Sequence, residues 1–435
     1  MTARYLAVKA LIRQEQNGYS NLVLDAELKK CTPPLQPRDA AFAASIFYTT
    51  LERQNTLDAC LAKFIRKPLA KLDAPVRCIL RAGLAQASYM NVPLPAAVNE
   101  SVKLAKAFGK TSAAGMINAV LRRASAVDPT QMTFATEEER LSVLGNFSLP
   151  IATLLYKQYG EDAFAMAEAF YRYLPTTIRA NTLRTTPEAL AQTLTEEGCT
   201  VTDGPFLNSL TVKFPGSPAA TKAFESGLYH VQGIPSQMAV RCLAPRPGDT
   251  VLDLCAAPGG KSLSLAQQME NRGRLLSCDV VEGRLPLIEK NFARCGVTCA
   301  ETQQRDAGVF DPEIGKFDRI LCDVPCSGLG VIGKKPDIRY KTLESIESLV
   351  ELQGRILQNA SRYLAQNGRL VYSTCTVNIS ENEAQIRDFL EKNTGFNVLT
   401  PEIEIDGVET TGYGMRLLPH KTGTDGFFIA ILEKK

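Results

Sequence analysis

A chain of 435 residues is too long for one core and implies two or three domains. Its 45% hydrophobic and 22% charged content is ordinary for a globular protein, and no apolar run approaches the length of a membrane span. The net charge of +3 hides an asymmetry: residues 1–125 carry 18 Lys+Arg against 8 Asp+Glu, and the remainder carries 31 against 38. A basic first quarter on an acidic remainder suggests an anionic partner on the N-terminal part, with phosphate the usual candidate.

The opening MTARYLAVKALIRQEQ has scattered charges and no cleavage pattern, so a cytoplasmic protein with reduced thiols is expected from its twelve Cys. No CxxC pair occurs, and the CxxxC pairs Cys295/Cys299 and Cys322/Cys326 lack partners. With only His230 and His420 available, neither a zinc cluster nor a triad built on a histidine base is expected.

In chain order, Tyr5 to about Ser125 is helical in pattern, with Val76, Ile79, Leu80, Gly83, Leu84 and Ala87 on one apolar face. Pro37 and Pro75 sit at helix starts, and five to seven helices in a bundle are expected. Residues 126–170 read as a linker with one or two short helices. TTIRANTL, a helix from Pro187 to Glu197, CTVTDG and LTVKF suggest a small α+β module at 171–225. From Thr250 onward strands and helices alternate, which implies a doubly wound, Rossmann-like parallel sheet within a 226–435 α/β domain. The expected strands are Val251–Leu254, Arg274–Cys278, Ala300–Gln304, Arg319–Cys322 and Arg369–Tyr372. The tail reads as two closing strands around a GTDG turn.

In open parallel sheets, ligands bind beyond the carboxyl ends of the strands. Here those ends hold CAAPGGKS (Cys255–Ser262), Asp279, Asp306, DVPCSG (Asp323–Gly328) and STCT (Ser373–Thr376). GGKS ends like a phosphate-binding loop, but the first Gly that motif requires is replaced by Cys255. Gly259 and Gly260 instead allow a small ligand to approach the backbone at a helix start. Asp279 is placed to accept the hydroxyls of a ribose, and Asp306 an exocyclic amine of adenine. Ribose and adenine without phosphate machinery point to S-adenosylmethionine. Two strand-end thiols with Asp323 then suit methylation of cytosine carbon 5. That reaction needs a thiolate attacking carbon 6, a carboxylate near ring nitrogen 3 and a base to remove the carbon 5 proton. From the residues alone, which of Cys326 and Cys375 attacks stays open. Cys31, Cys60, Cys78, Cys199, Cys242, Cys278, Cys295 and Cys299 read as small hydrophobes, and Cys255 and Cys322 as pocket packing.

Two resemblances add to this. GYSNLVLD, RDAAFAASIFYTTL, LRAGLAQ, AAVNESVKLAK and MINAVLRR are similar to the NusB-type RNA-binding domain, with Arg4, Arg77, Arg81, Arg122 and Arg123 as candidate phosphate contacts. AAPGGKS, DVPCSGLG, KPDIRY, LVYSTCTVNISENE and LLPHKTGTDGFF resemble the Nol/Nop/Sun RNA cytosine-C5 methyltransferases. With the helical domain in front, the whole chain resembles their bacterial Sun/Fmu type, which methylates one cytosine of 16S ribosomal RNA.

The resemblance implies Cys375 as nucleophile, Cys326 as the residue needed for product release, and Asp323 beside them. It implies S-adenosylmethionine on Cys255, Ala256, Ala257, Pro258, Gly259, Gly260, Lys261, Asp279, Asp306 and Asp323. Arg179, Asn181 and Arg184 match an RxNxxR pattern of RNA cytosine methyltransferases. Gly333 stands where that family often has Arg, which makes Lys334 and Lys335 the replacement phosphate contacts. Gly233 and Pro235 stand where the family has Asp and Ser. The expected partner is 16S ribosomal RNA, bound by a monomer. The alternatives are the same chemistry on transfer RNA or 23S ribosomal RNA, a non-catalytic assembly factor, or an amino-methyltransferase.

Overall fold

The computed structural model describes residues 2–16, 20–400 and 405–435, with the side chain of Asn21 left aside. Gly18 and Tyr19 of the GYSNLVLD segment therefore lie outside the described residues. The chain forms two compact units: Met1–Ala167 with Ile332–Leu343, and Glu168–Val331 with Glu344–Lys435. No described helix is long and apolar enough to cross a membrane.

In the first unit, helices Ala3–Gln14, Ser20–Lys29, Pro37–Glu52, Gln54–Ala62, Ala74–Tyr89, Leu94–Ala107 and Ala114–Ala124 make the expected bundle. Pro at the first turn of Pro37–Glu52, Ala74–Tyr89 and Leu94–Ala107 sets φ for helix entry where its missing N–H is not needed. Leu6, Ile46, Phe47, Leu61, Ile79 and Ile117 meet in one core, each fully buried. Arg81 is buried too, clamped on Asp58 at 2.7 and 2.6 Å and on Glu15 at 2.8 Å; Arg77 forks onto Glu15 at 2.9 and 2.6 Å. These two arginines thus neutralise internal carboxylates, a correction to their reading as phosphate contacts. Arg122 and Arg123 remain exposed.

The presumed linker is better ordered than its composition suggested. It forms helices Glu137–Leu144, Leu149–Tyr159 and Asp162–Ala169. It is tied back to the bundle by Asn55, whose amide donates to the Phe147 carbonyl at 2.6 Å, and by the Thr56 N–H on Asn146 at 2.9 Å. Segment Ile332–Leu343, carrying KPDIRY, also belongs to this unit. Asp337 accepts from the Ser20 hydroxyl (2.6 Å) and backbone N–H (3.1 Å), fully buried Arg339 donates to the Gly145 carbonyl (2.8 Å), and Tyr340 donates to the Leu51 carbonyl (2.9 Å).

In the second unit, β1 (Thr176–Ala180), β2 (Thr200–Asp203), β3 (Ser209–Lys213) and β4 (Tyr229–Val231) form an antiparallel sheet in the order β2-β3-β1-β4. β4 was not foreseen. The larger sheet contains β5 (Thr250–Asp253), β6 (Arg274–Asp279), β7 (Ala300–Gln304), β8 (Phe317–Asp323), β9 (Leu364–Thr374), β10 (Phe396–Leu399), β11 (Glu409–Thr411), β12 (Gly414–Leu417) and β13 (Phe427–Lys434). Its order is β11-β12-β13-β9-β8-β5-β6-β7, with β10 also on β13. Strands β5 to β9 run parallel, and β13 closes them antiparallel to β9. The order reverses between β5 and β8, so the crevice where open α/β sheets bind ligands opens beyond Asp253 and Asp323.

Candidate active site

Beyond β5, the Cys255–Gly259 loop turns into the helix Gly260–Gln268. Gly259 has φ +97°, a left-handed conformation that a side chain resists, and a Cβ there would press on Ile288 at 3.2 Å. The turn therefore keeps the backbone open at the helix N-terminus. A cavity of about 200 Å³ lies there, lined by Gln232, Gly233, Ser236, Asp253, Cys255, Ala256, Ala257, Pro258, Gly260, Lys261 and Asp323, with Val231. Asp279, ending β6, is buried and accepts from the N–H groups of Ala257 (3.2 Å) and Val281 (3.0 Å), which fastens the loop to that strand end. Asp306 stands exposed past β7 and accepts from the Gly308 N–H at 2.8 Å.

The cavity's electrostatics centre on three groups. Lys261 donates to Asp323 at 2.6 Å, and Asp323 also accepts from the Ser373 hydroxyl at 2.8 Å. Burial pushes the Lys261 ammonium down, but the adjacent Asp323 carboxylate outweighs burial and holds its pKa above the ordinary value. Asp253 is fully desolvated and its carboxyl is pushed up to about 7; the Ser262 hydrogen bond opposes this and the charge of Asp323 adds to it. One Asp253 oxygen takes the Ser262 hydroxyl at 2.6 Å, while Oδ1 has no partner. An unpaired buried carboxylate oxygen, main-chain groups at a helix start and a loop fastened by Asp279 make a donor set suited to a cationic nucleoside.

Beyond β8 and β9 the two candidate thiols come together. The Sγ atoms of Cys326 and Cys375 are 3.3 Å apart, and both residues are partly exposed. Cys31, Cys60, Cys78, Cys199, Cys242, Cys278, Cys295 and Cys322 are buried. Burial raises the thiols of Cys242 and Cys278 to about 12, so they are packing rather than nucleophiles. The hydrogen bond with Cys375, whose sulfur favours the protonated Cys326, pushes the Cys326 thiol well above its ordinary value; burial and the charges of Cys375 and Glu381 add to this. The loop after Cys326 is fixed where the Gly330 N–H donates to the Cys375 carbonyl (3.0 Å) and the Gly426 N–H to the Gly330 carbonyl (2.8 Å). A Cβ on Gly330 would overlap the Gly426 carbonyl, so this approach requires glycine.

The RxNxxR residues lie elsewhere and do something different. Asn181 is fully buried, and its amide donates to the carbonyls of Gly227 (2.8 Å) and Cys295 (2.7 Å), joining the end of β1 to the turn before β4 and to the last residue of the helix Leu285–Cys295. Arg179 is buried beside Gln267, with its pKa lowered to about 10 by burial and by Arg241. Neither can reach a nucleic acid, because side chains enclosed by protein have no solvent side; their reading as RNA contacts is corrected. Arg184 is exposed and donates to the Ser226 carbonyl at 2.9 Å. Lys334 and Lys335 are exposed in the first unit's Ile332–Leu343 segment. His230 is buried against Ser264, and its pKa is lowered to about 3 by burial, then by Arg179 and Arg294, so it stays neutral and structural.

Sequence reasoning passed over Asp253, Gln232 and Glu381. Asp253 ends a strand, as Asp279 does, and that signal was available. Gln232 donates to the Gly260 carbonyl at 3.0 Å and accepts from the Ser264 hydroxyl at 2.9 Å, a role no spacing reveals.

The comparisons with known proteins agree along the chain. Residues 240–433 match the family described as 16S rRNA methyltransferase RsmB/F. Residues 1–126 match the NusB family, and 151–215 the ferredoxin-like domain of RsmF/B-like methyltransferases. The ribosomal RNA small subunit methyltransferase B of Vibrio cholerae serotype O1 is 31% identical over 100% of this chain and 98% of its own. The crystal structure of PH0851 superposes with a TM-score of 0.82 at 26% identity, covering 100% of this chain and 99% of that one. NSun6 from Pyrococcus horikoshii, solved with SFG, gives a TM-score of 0.60 at 26% identity over 65% of this chain and 97% of its own.

Proposed function

The chain belongs to the 16S rRNA methyltransferase RsmB/F family, and from that premise we propose that it methylates carbon 5 of one cytosine in 16S ribosomal RNA through a covalent bond between Cys375 and that base. Its methyl donor is S-adenosylmethionine. The observation that carries the reading is the pair of partly exposed thiols, 3.3 Å apart, beside the Lys261–Asp323 pair.

The Cys255–Lys261 loop, Asp279 and Asp306 hold the donor, which when bound supplies an electrophilic methyl group on a sulfonium. Cys375, as thiolate, forms a bond to carbon 6 of the cytosine, and the displaced electron pair makes carbon 5 nucleophilic toward that methyl. The Lys261–Asp323 pair stands beside the ring and stabilises charge developing at nitrogen 3. Once Cys375 is a thioether, it carries no charge and no longer holds the Cys326 thiol up. Cys326, partly exposed, then gives its proton to solvent more easily and, as thiolate, takes the carbon 5 proton and is a thiol again. The carbon 5–carbon 6 double bond reforms and Cys375 leaves as thiolate. A base inside a helix must first be unstacked to reach such a pocket. Lys334, Lys335 and Arg184 serve as phosphate contacts in this reading.

The test is transfer of labelled methyl from S-adenosylmethionine to unmodified 16S ribosomal RNA, followed by nucleoside analysis. Wild type gives 5-methylcytidine at one position. Cys375→Ala gives neither label nor adduct, and Cys326→Ala gives a protein–RNA adduct that survives denaturation. An adduct that persists in Cys375→Ala and vanishes in Cys326→Ala would reverse the two roles.

A further inference from the structure

The two thiol loops leave different strands, yet a single buried carboxylate holds both. Glu381 is 0% exposed. Its Oε2 accepts from the Ser327 backbone N–H (2.7 Å) and the Gln353 amide (2.9 Å); its Oε1 accepts from the Ser327 hydroxyl (2.5 Å) and the Asn378 amide (3.0 Å), with the Thr376 hydroxyl at 3.5 Å. Ser327 directly follows Cys326 and Thr376 directly follows Cys375, and their hydroxyls meet at 2.7 Å. The Glu381 backbone takes part as well, its carbonyl accepting from the Tyr372 hydroxyl at 2.7 Å.

Placing a carboxylate in an interior is costly unless strong hydrogen bonds replace its water. The donors converging here come from both thiol loops and from the helix Glu344–Tyr363. Gln at this position would bring an NH₂ into a ring of donors and leave at least one of them unsatisfied. An acidic side chain is therefore the group that can satisfy both loops at once.

We propose that Glu381 is a positioning residue, which fixes the separation and orientation of Cys326 and Cys375 so that both can act in turn on one ring. This rests on the roles given to the two thiols above. Glu381 touches neither ring nor donor; it acts through Ser327 on one side and Thr376–Asn378 on the other.

The experiment uses the full chain with S-adenosylmethionine and unmodified 16S ribosomal RNA, comparing wild type, Glu381→Gln and Ser327→Ala. Donor binding by calorimetry and thermal melting accompany each rate. Glu381→Gln is expected to lower kcat by roughly 30- to 100-fold, the size of loss that a small misplacement of reacting groups produces, with KM for RNA and the donor Kd within about threefold of wild type, changes too small to account for that loss. Ser327→Ala removes the hydroxyl's bonds to Glu381 and Thr376 while the Ser327 backbone N–H keeps its bond to Glu381, so it loosens the Cys326 loop, slows release and lets a denaturation-resistant adduct accumulate. Wild-type kcat in Glu381→Gln would overturn the proposal. So would a loss matched by equal loss of donor binding, or, should that variant not fold, Ser327→Ala turning over normally without adduct. If wild type itself forms no 5-methylcytidine, the reading of the thiols fails instead, and the two failures are thereby told apart.

Discussion

The sulfurs of Cys326 and Cys375 stand 3.3 Å apart although 49 residues separate them in the chain. One loop follows β8 and the other follows β9, adjacent parallel strands paired from Arg319/Arg369 to Asp323/Ser373. The register of that pair thus brings the thiols level, and glycines at 330 and 426 let the surrounding loops close over them.

A disulfide needs its sulfurs about 2.05 Å apart, so these two require only a small shift to join. Treatment with diamide, which takes up the two hydrogens, is expected to link Cys326 to Cys375 and abolish methyl transfer, with recovery in dithiothreitol. Peptide mapping under non-reducing conditions checks it. Free thiols at both positions after activity is lost would refute the expectation.

The Lys261–Asp323 pair should behave as a mostly buried ion pair, its side chains 15% and 27% exposed. Lys261→Met strands the carboxylate and is expected to cost about 3 kcal/mol of stability, the lower end for breaking such a pair. The double variant Lys261→Met/Asp323→Leu should recover most of this in chemical denaturation without recovering methyl transfer. A double variant as unstable as the single one would show that the charges were not what mattered.

Asp253, raised to about 7 in the fold from an ordinary value of 3.8, binds a proton more readily folded than unfolded. Its contribution to stability is therefore fully present below pH 3.8 and is lost as pH rises through about 7. The melting temperature of wild type minus that of Asp253→Asn is expected to fall across this window and level off above it. A difference that is flat with pH would mean Asp253 is ionised throughout.

Asn181 and Lys335 should separate structure from RNA contact. Asn181→Ala leaves the carbonyls of Gly227 and Cys295 without their donor and is expected to cost roughly 1–3 kcal/mol, with RNA affinity unchanged in the folded protein. Lys335→Ala is expected to leave melting unchanged while weakening RNA binding and lowering the salt slope by about 1. Equal RNA affinity and slope in Lys335→Ala would remove it from the interface.

Strand ends were legible where an apolar run stops at a small or reactive residue: Cys278 before Asp279, Cys322 before Asp323, Tyr372 before Ser373. Burial of polar side chains was not legible in this way. Arg179, Asn181, Arg81 and Arg77 read as surface residues, since sequence shows charge but not what lies opposite it. Their partners stand far away in the chain: Cys295 for Asn181, Asp58 and Glu15 for Arg81.

The helical first domain, the strand–helix alternation after Thr250 and most of the reactive strand ends could be read from the residues, while β4 and the third linker helix could not. The elements follow from local periodicity, which the chain carries in short windows; the family resemblance rests instead on motifs such as DVPCSGLG and LVYSTCTVNISENE. Which side chains meet is set by long-range packing. The reversal of strand order between β5 and β8 set Lys261 against Asp323, the register of β8 on β9 brought the two thiols level, and burial gave Glu381 both of their loops to hold. Such pairings depend on long-range closure and on exclusion of water, and neither is encoded in the spacing of neighbouring residues.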